Sequence, residues 1–181
     1  FNCRKPKPGL LQQAILELNI DLNSSWMIGD SDSDIEAADS VGCKAIKIND
    51  NFSLDNAVEK ISLGIFLNSG QVCTSGTRLI AHEKVLDEVL EKLIKIGKSK
   101  KPGPTWEDSS SLPPIVSKKQ ADRIESLVNN SVEMGASIIE GGSWYDTNYG
   151  GYFYRPTFLE KVTREMPAFK EEIFGPVINI D

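Results

Sequence analysis

Apolar positions in the N-terminal third of the chain alternate between a helical period and short buried runs. A proline-rich start leads into apolar residues that recur at helical spacing up to Leu18. The run 25–29 predicts a buried strand, and Gly42 closes a second helical stretch before the strand-like run 44–48. Because helix, strand, helix and strand follow in this order, the pattern predicts parallel strands joined by helical crossovers.

The rest of the chain continues this alternation with longer helices. Ala57, Ile61 and Ile65 are four residues apart, so one apolar stripe predicts a continuous helix there unless Gly64 breaks it. Further helices are predicted over 85–96, with a buried stripe that includes Val85, and from Ser117 to Gly135. Extended runs are predicted at 77–81, 137–139, 152–159 and 177–180.

Together these elements predict an α/β fold. We expect a mostly parallel sheet with flanking helices, arranged as two partial Rossmann-like units.

The composition of the chain limits the class of protein, the cellular compartment and the kinds of binding partner that we expect. With 40% hydrophobic and 25% charged residues, the chain has the composition of a soluble globular protein. A net charge of -6 and the lack of a long apolar stretch predict no nucleic-acid partner and no membrane partner. The three cysteines are far apart in sequence, which favours a reducing, cytoplasmic location. His82 is the only histidine, and a chain that begins with Phe1 is expected to be a fragment or a processed product.

Cys73 lies between two glycines, after an apolar run and before a strand-like run. A turn at this position would hold the thiol partly exposed and rigidly aimed, as a nucleophile requires. The alternative is a small buried cysteine that only packs, because free cysteine is among the most buried residue types.

Carboxylates cluster where the strand 25–29 ends. Asp30, Asp32 and Asp34 supply hard oxygen ligands beside a helix start, which suits Mg²⁺. The alternative is that Asp32 and Asp34 only cap the helix and favour its positive end.

Glu172 and Phe174 stand next to a glycine–proline turn near the end of the chain. The glutamate could accept hydrogen bonds from a ribose diol, and the phenylalanine could pack on a ring. A surface glutamate and a core phenylalanine are the alternative.

Two N-terminal motifs resemble the last third of a haloacid-dehalogenase-type phosphatase, closest to the heptose-bisphosphate and histidinol-phosphate phosphatases. They are Cys-Arg-Lys-Pro-Lys-Pro-Gly at 3–9 and Met-Ile-Gly-Asp-Ser-Asp-Ser-Asp at 27–34. The resemblance implies that Arg4 and Lys5 bind phosphate, that Asp30 and Asp34 hold magnesium, and that the substrate is a phosphorylated sugar. The family's nucleophilic aspartate belongs to an earlier strand, so we expect this segment to be inactive alone.

Residues 63–181 resemble the catalytic domain of the aldehyde dehydrogenases. The resemblance is carried by Asn-Ser-Gly-Gln-Val-Cys-Thr-Ser-Gly-Thr-Arg at 68–78, by Tyr-Phe-Tyr-Arg-Pro-Thr at 152–157 and by Glu-Glu-Ile-Phe-Gly-Pro-Val at 171–177. It implies that Cys73 is the nucleophile, that Glu172 binds the nicotinamide ribose of NAD or NADP, and that Phe174 is its aromatic neighbour in the cofactor site. The implied substrate is a small-molecule aldehyde, and the implied assembly a homo-oligomer.

The two resemblances meet near Ile61, inside the predicted helix. We therefore expect a chimera with a phosphatase-like fragment at 1–61 and an aldehyde dehydrogenase-like fragment at 62–181. Three hypotheses follow: a thiol-dependent aldehyde dehydrogenase with little or no turnover as this chain alone, a magnesium phosphatase, or a recombined fold without catalysis. In the aldehyde dehydrogenases the oxyanion asparagine, the general-base glutamate and nearly all of the dinucleotide-binding domain precede the cysteine, and we expect this sequence to lack them.

Overall fold

A computed structural model describes residues 3–49, 53–81 and 83–180; Phe1 and His82 lie outside these ranges. The chain divides into two compact units, residues 1–60 and 61–181. Both units are α/β, so the predicted fold class is confirmed. The helices are α1 (Gly9–Leu18), α2 (Asp32–Ser40), α3 (Leu54–Phe66), α4 (Glu83–Ser99), α5 (Lys118–Glu133) and α6 (Pro167–Lys170). The strands are β1 (Trp26–Gly29), β2 (Lys44–Lys47), β3 (Arg78–Leu79), β4 (Ser137–Glu140), β5 (Thr157–Glu160) and β6 (Val177–Ile180).

The first unit is built around one parallel strand pair. β1 and β2 run parallel in the register Trp26 to Lys44, and α2 is the crossover between them, as the pattern predicts. Ala37 and Ala38 are buried on α2, which packs against both strands. Small side chains on this face let the helix approach the sheet closely.

Helix α3 runs without interruption from Leu54 to Phe66, so Gly64 does not break it. Ala57 and Ile65 are buried and Ile61 is half-buried, which confirms the predicted apolar stripe. None of the helices within the described ranges is long and apolar enough to cross a membrane.

The second unit contains a four-stranded sheet in the order β3-β6-β5-β4. β3 and β5 both run parallel to β6, whereas β4 pairs antiparallel with β5. Successive strand residues point to opposite faces. Phe158 therefore meets the ring of Phe66 at 5.9 Å between centroids, and Leu159 joins the core cluster that includes Ile124 and Val128 of α5.

The structure corrects three details of the sequence-based picture. Val85 is 44% exposed, so the buried stripe of α4 is carried instead by Val89 and Leu93. The extended run at 152–159 becomes a regular strand only from Thr157, because Tyr152 and Tyr154 form isolated bridges to Ile115 and Trp144. The short helix α6 has no clear apolar period of its own and was not predicted.

Candidate active site

Cys73 is exposed on a tight turn between α3 and β3, as the glycine-framed sequence predicts. The Ser75 amide donates to the Val72 carbonyl at 2.9 Å, which closes the turn around the thiol. The Ser75 hydroxyl also donates to the carbonyl of Gly64 at 3.0 Å and so fixes the turn to the end of α3. The thiol thus projects from a short turn whose C-terminal side is held by a helix.

The chain enters this turn through an unusual backbone conformation. Asn68, Ser69 and Gly70 have left-handed φ angles of 51°, 57° and 71°. Asparagine and glycine tolerate this region, but serine seldom adopts it. The Gln71 amide donates to the Asn68 carbonyl at 3.1 Å, which closes the left-handed segment into a compact turn.

Glu172 and Phe174 lie on a loop that is held by the first turns of α5. The Gln120 side-chain amide donates to the carbonyls of Ile173 at 2.9 Å and Phe174 at 3.1 Å. The Arg123 guanidinium donates to the Glu172 carbonyl. Glu172 is exposed, whereas Phe174 is half-buried and has a φ of 55°.

The loop that carries Glu172 and the segment that leads to Cys73 are in contact through two glycines. A Cβ atom on Gly70 would stand 2.1 Å from the Gly175 carbonyl oxygen, so the two backbones touch where a side chain could not fit. Gly70 is three residues before the thiol, and Gly175 directly follows Phe174. The fold therefore brings together two segments that are about a hundred residues apart in the sequence.

In the first unit, the structure places Lys5 and Asp34 together. The Lys5 ammonium forms an ion pair with the Asp34 carboxylate, which is only 2% exposed and accepts hydrogen bonds from the Ser31 amide and hydroxyl. Burial alone would raise the pKa of the Asp34 carboxyl, but the hydrogen bonds from Lys5 and Ser31 outweigh it and lower the pKa to about 2.

The other predicted residues of this unit are more dispersed. Arg4 and Asp30 are exposed, with Asp30 directly after β1. Asp32 pairs with Lys47 at 2.6 Å. Among residues 3–49, 53–81 and 83–180, no group of three or more histidine, cysteine or acidic side chains is arranged to hold a metal ion. Asp30 and Asp34 as magnesium ligands, and Arg4 and Lys5 as phosphate ligands, remain predictions.

The three cysteines occupy different environments. Cys43 is buried, and burial raises the pKa of its thiol above the ordinary value. Cys3 and Cys73 are exposed. Only Cys73 combines exposure with a turn that is hydrogen-bonded to a helix end.

Comparison with protein families agrees with the motif analysis. Residues 38–181 match the aldehyde dehydrogenase family, which is more than half of the chain. The chain belongs to the aldehyde dehydrogenase family. Residues 2–63 match a second family, described as HAD-hydrolase-like, so both resemblances are detected in one chain.

Relatives within the aldehyde dehydrogenase family are much longer than this chain. A mitochondrial aldehyde dehydrogenase of Leishmania tarentolae is 36% identical over 136 residues, which is 75% of this chain and 27% of the relative. A chloroplastic aminoaldehyde dehydrogenase of Arabidopsis thaliana is 36% identical over 137 residues, 76% of this chain and 27% of the relative. The chain therefore spans about a quarter of the length of these enzymes.

Solved aldehyde dehydrogenases share the fold. An NAD⁺ complex of an aldehyde dehydrogenase from Bacillus cereus is 27% identical with a TM-score of 0.69, covering 96% of this chain and 32% of that one. An NAD⁺ complex of a betaine aldehyde dehydrogenase double mutant from Staphylococcus aureus is 25% identical with a TM-score of 0.68, covering 86% and 34% of the two chains.

Sequence reasoning did not predict which residues hold the two aldehyde dehydrogenase motifs in place. Gln120 and Arg123 are three residues apart on α5, so their common helical face was readable from the sequence. Their partners on the Glu172 loop were not, because no local pattern marks a contact across about fifty residues. The same holds for Ser69 and Gln71, which belong to the motif but contact a distant segment.

Proposed function

We propose that the second unit is part of an enzyme that oxidises a small-molecule aldehyde with NAD or NADP, and that Cys73 is its nucleophile. The observation that carries this proposal is the exposed Cys73 thiol, fixed on a turn next to the Glu172 loop. Exposed, rigidly held thiols suit attack on a carbonyl carbon, because the nucleophile is already aligned when the substrate arrives.

The chemistry proceeds in two stages. The deprotonated Cys73 sulfur forms a bond to the carbonyl carbon, and the carbonyl oxygen takes the negative charge. A nicotinamide dinucleotide held by Glu172 and Phe174 would supply the hydride acceptor for that carbon, and Cys73 would then carry a thioester. Water then cleaves the thioester, releasing the carboxylic acid and regenerating the thiol.

Glu172 and Phe174 are the residues we assign to the dinucleotide. The exposed Glu172 carboxylate can accept hydrogen bonds from the ribose hydroxyls, and the half-buried Phe174 offers a ring for packing. The two solved relatives described above are NAD⁺ complexes. Because the chain spans 27% of its curated relatives, we assign it the thiol and this loop rather than the activity of a whole relative.

The first stage can be tested on this chain without the dinucleotide. A simple aldehyde should slow the alkylation of Cys73 by iodoacetamide, because reversible addition to the carbonyl carbon consumes the free thiol. Cys3 is exposed in the first unit and serves as the internal control. We expect protection at Cys73 at aldehyde concentrations that leave Cys3 unprotected. Equal protection of both thiols would contradict the proposal.

A second candidate function for the first unit is a magnesium-dependent phosphate site that binds a phosphorylated sugar. The buried Asp34 carboxylate beside the Lys5 ammonium supports it, because Mg²⁺ prefers carboxylate and phosphate oxygens and a lysine ammonium can pair with a phosphate group. We assign phosphate binding to Arg4 and Lys5, and magnesium to Asp30 and Asp34. Calorimetric titration with Mg²⁺ and inorganic phosphate should give heat that Asp30→Asn abolishes. Identical titrations for both proteins would rule this function out.

We further propose that the chain is a natural or engineered join of two family fragments, at residues 1–61 and 62–181. We also propose that it works in the cytoplasm. A third proposal is that it forms a homo-oligomer. The free cysteines support a reducing compartment. Light scattering of the purified chain would determine the oligomeric state.

A further inference from the structure

The segment before Cys73 is attached to a second, distant part of the chain. The buried Ser69 hydroxyl donates to the Pro113 carbonyl. The Gln71 side chain donates from Nε2 to the Pro114 carbonyl at 3.2 Å and accepts at Oε1 from the Val116 amide at 2.8 Å. One glutamine amide thus uses both ends to hold a single partner segment, residues 113–116.

That partner segment is itself firmly anchored. Ile115 is 3% exposed within the main core cluster, and its amide donates to the Tyr152 carbonyl at 2.7 Å. Ser117, which directly follows this segment, caps α5: its hydroxyl accepts a hydrogen bond from the Gln120 amide at 3.2 Å. Because the turn before Cys73 is hydrogen-bonded to this segment, the core and α5 restrict its motion.

The Cys73 turn is then held on both sides. On its C-terminal side, Ser75 donates to the Gly64 carbonyl at 3.0 Å. On its N-terminal side, the left-handed pair Asn68 and Ser69 would relax toward ordinary backbone angles if nothing opposed it. The Gln71 side chain opposes it, because it also donates to the Asn68 carbonyl at 3.1 Å.

We propose that Gln71 is the positioning residue of the Cys73 nucleophile: its side-chain amide joins the left-handed turn to residues 113–116 and so fixes the direction in which the thiol points. The inference rests on the proposed role of Cys73. Gln71 acts through the backbone and takes no part in the chemistry. Since α5 also holds the Glu172 loop through Gln120, the beginning of α5 is the common support of both site segments.

The test uses Gln71→Met, which keeps the length of the side chain but removes its donor and its acceptor. The exposed thiols are labelled with a trifluoroacetonyl group, and ¹⁹F relaxation reports the local mobility at Cys73 and, as reference, at Cys3. Amide hydrogen exchange is followed at Val116. The matched control is Gln13→Met, the same change on α1, where the side-chain amide donates to the neighbouring Glu17 at 2.7 Å.

We expect Gln71→Met to increase the mobility of the Cys73 label but not the Cys3 label, and to speed Val116 exchange about tenfold, as expected when a few neutral hydrogen bonds are lost. Gln13→Met should change neither. If Gln71→Met does not fold, Gln71→Glu replaces it: the acceptor for Val116 is kept, so that amide stays protected while the Cys73 label becomes mobile. Unchanged mobility and exchange in the folded variant would overturn the proposal.

The aldehyde-protection assay separates this inference from the proposed function. If Gln71 positions the nucleophile, the Cys73 thiol of Gln71→Met should need about tenfold more aldehyde for the same protection than the wild-type thiol does. If the wild-type chain shows no protection at all, the nucleophile assignment fails, whereas the label mobility still decides whether Gln71 orients the turn.

Discussion

Tyr154 is the most deeply buried aromatic hydroxyl in the second unit. It is 1% exposed, and its ring meets Trp144 edge-on at 4.8 Å between centroids. Among the described residues, no atom is placed to hydrogen-bond its hydroxyl. Burial first, and then the nearby Glu125 carboxylate, raise the pKa of Tyr154 above its usual range, so the phenol stays neutral.

We predict that Tyr154→Phe leaves the stability unchanged or raises it by up to about 1 kcal/mol. The substitution keeps the contact with Trp144 and removes a polar group that is buried without a partner, which otherwise costs about 1–3 kcal/mol. Urea denaturation of both proteins measures the difference. A clear loss of stability would mean that the hydroxyl is bonded, for example through a buried water to Glu125.

Asp34 gives the first unit a defined acid sensitivity. Its pKa is lowered from 3.8 to about 2, so folding stabilises the ionised carboxylate relative to the protonated carboxyl group. The stabilisation is therefore complete above about pH 4 and is lost as the pH falls toward 2. Because its partner Lys5 is 55% exposed, we expect a contribution of roughly 1–2 kcal/mol rather than the full value of the shift.

Lys5→Met tests this assignment. Without the ammonium, only the Ser31 hydrogen bonds oppose the effect of burial, so the pKa of Asp34 should rise. A ¹³C NMR titration of the side-chain carboxyl measures the value directly in both proteins. An Asp34 pKa that stays near 2 in Lys5→Met would show that Ser31 alone is sufficient.

At the scale of elements, the contact between Gly70 and Gly175 determines how the two site segments meet. We predict that Gly70→Ala lowers the free energy of unfolding by several kcal/mol, because the new methyl group collides with a carbonyl oxygen and the residue must keep its φ of 71°. Urea denaturation gives the value.

Gly150→Ala is the matched control for that substitution. Gly150 has nearly the same φ, 69°, but a Cβ atom there would meet nothing within 4 Å. Gly150→Ala should therefore lower the free energy of unfolding only by the cost of a left-handed alanine, about 1–2 kcal/mol. Equal losses for the two variants would mean that the glycine contact is unimportant to the fold.

Regular elements were largely predictable from the sequence, whereas the contacts that assemble the site were not. The helical period placed α1, α3 and α5, and strand–helix alternation gave the parallel pair β1 and β2, because these signals are local. Ser69 bonds to Pro113 across 44 residues, and such a contact leaves no periodic trace. The position of Cys73 on a turn was predictable, because glycine flanks it on both sides.

At the scale of the whole chain, two family matches share one helix. The aldehyde dehydrogenase match begins at residue 38 and the HAD-hydrolase-like match ends at residue 63, so both include the start of α3. A continuous helix across the proposed join explains why no glycine- or proline-rich linker separates the two fragments. Each unit forms its own sheet.

The nucleophilic role proposed for Cys73 in this aldehyde dehydrogenase-family chain requires that its sulfur adds to an aldehyde carbonyl. The most direct measurement is ¹³C NMR of the chain with an aldehyde labelled at its carbonyl carbon. We predict a new tetrahedral-carbon resonance from the sulfur adduct that is absent in Cys73→Ser and persists in Cys3→Ser. A spectrum that is the same with and without Cys73, or an adduct that depends on Cys3 instead, would contradict it.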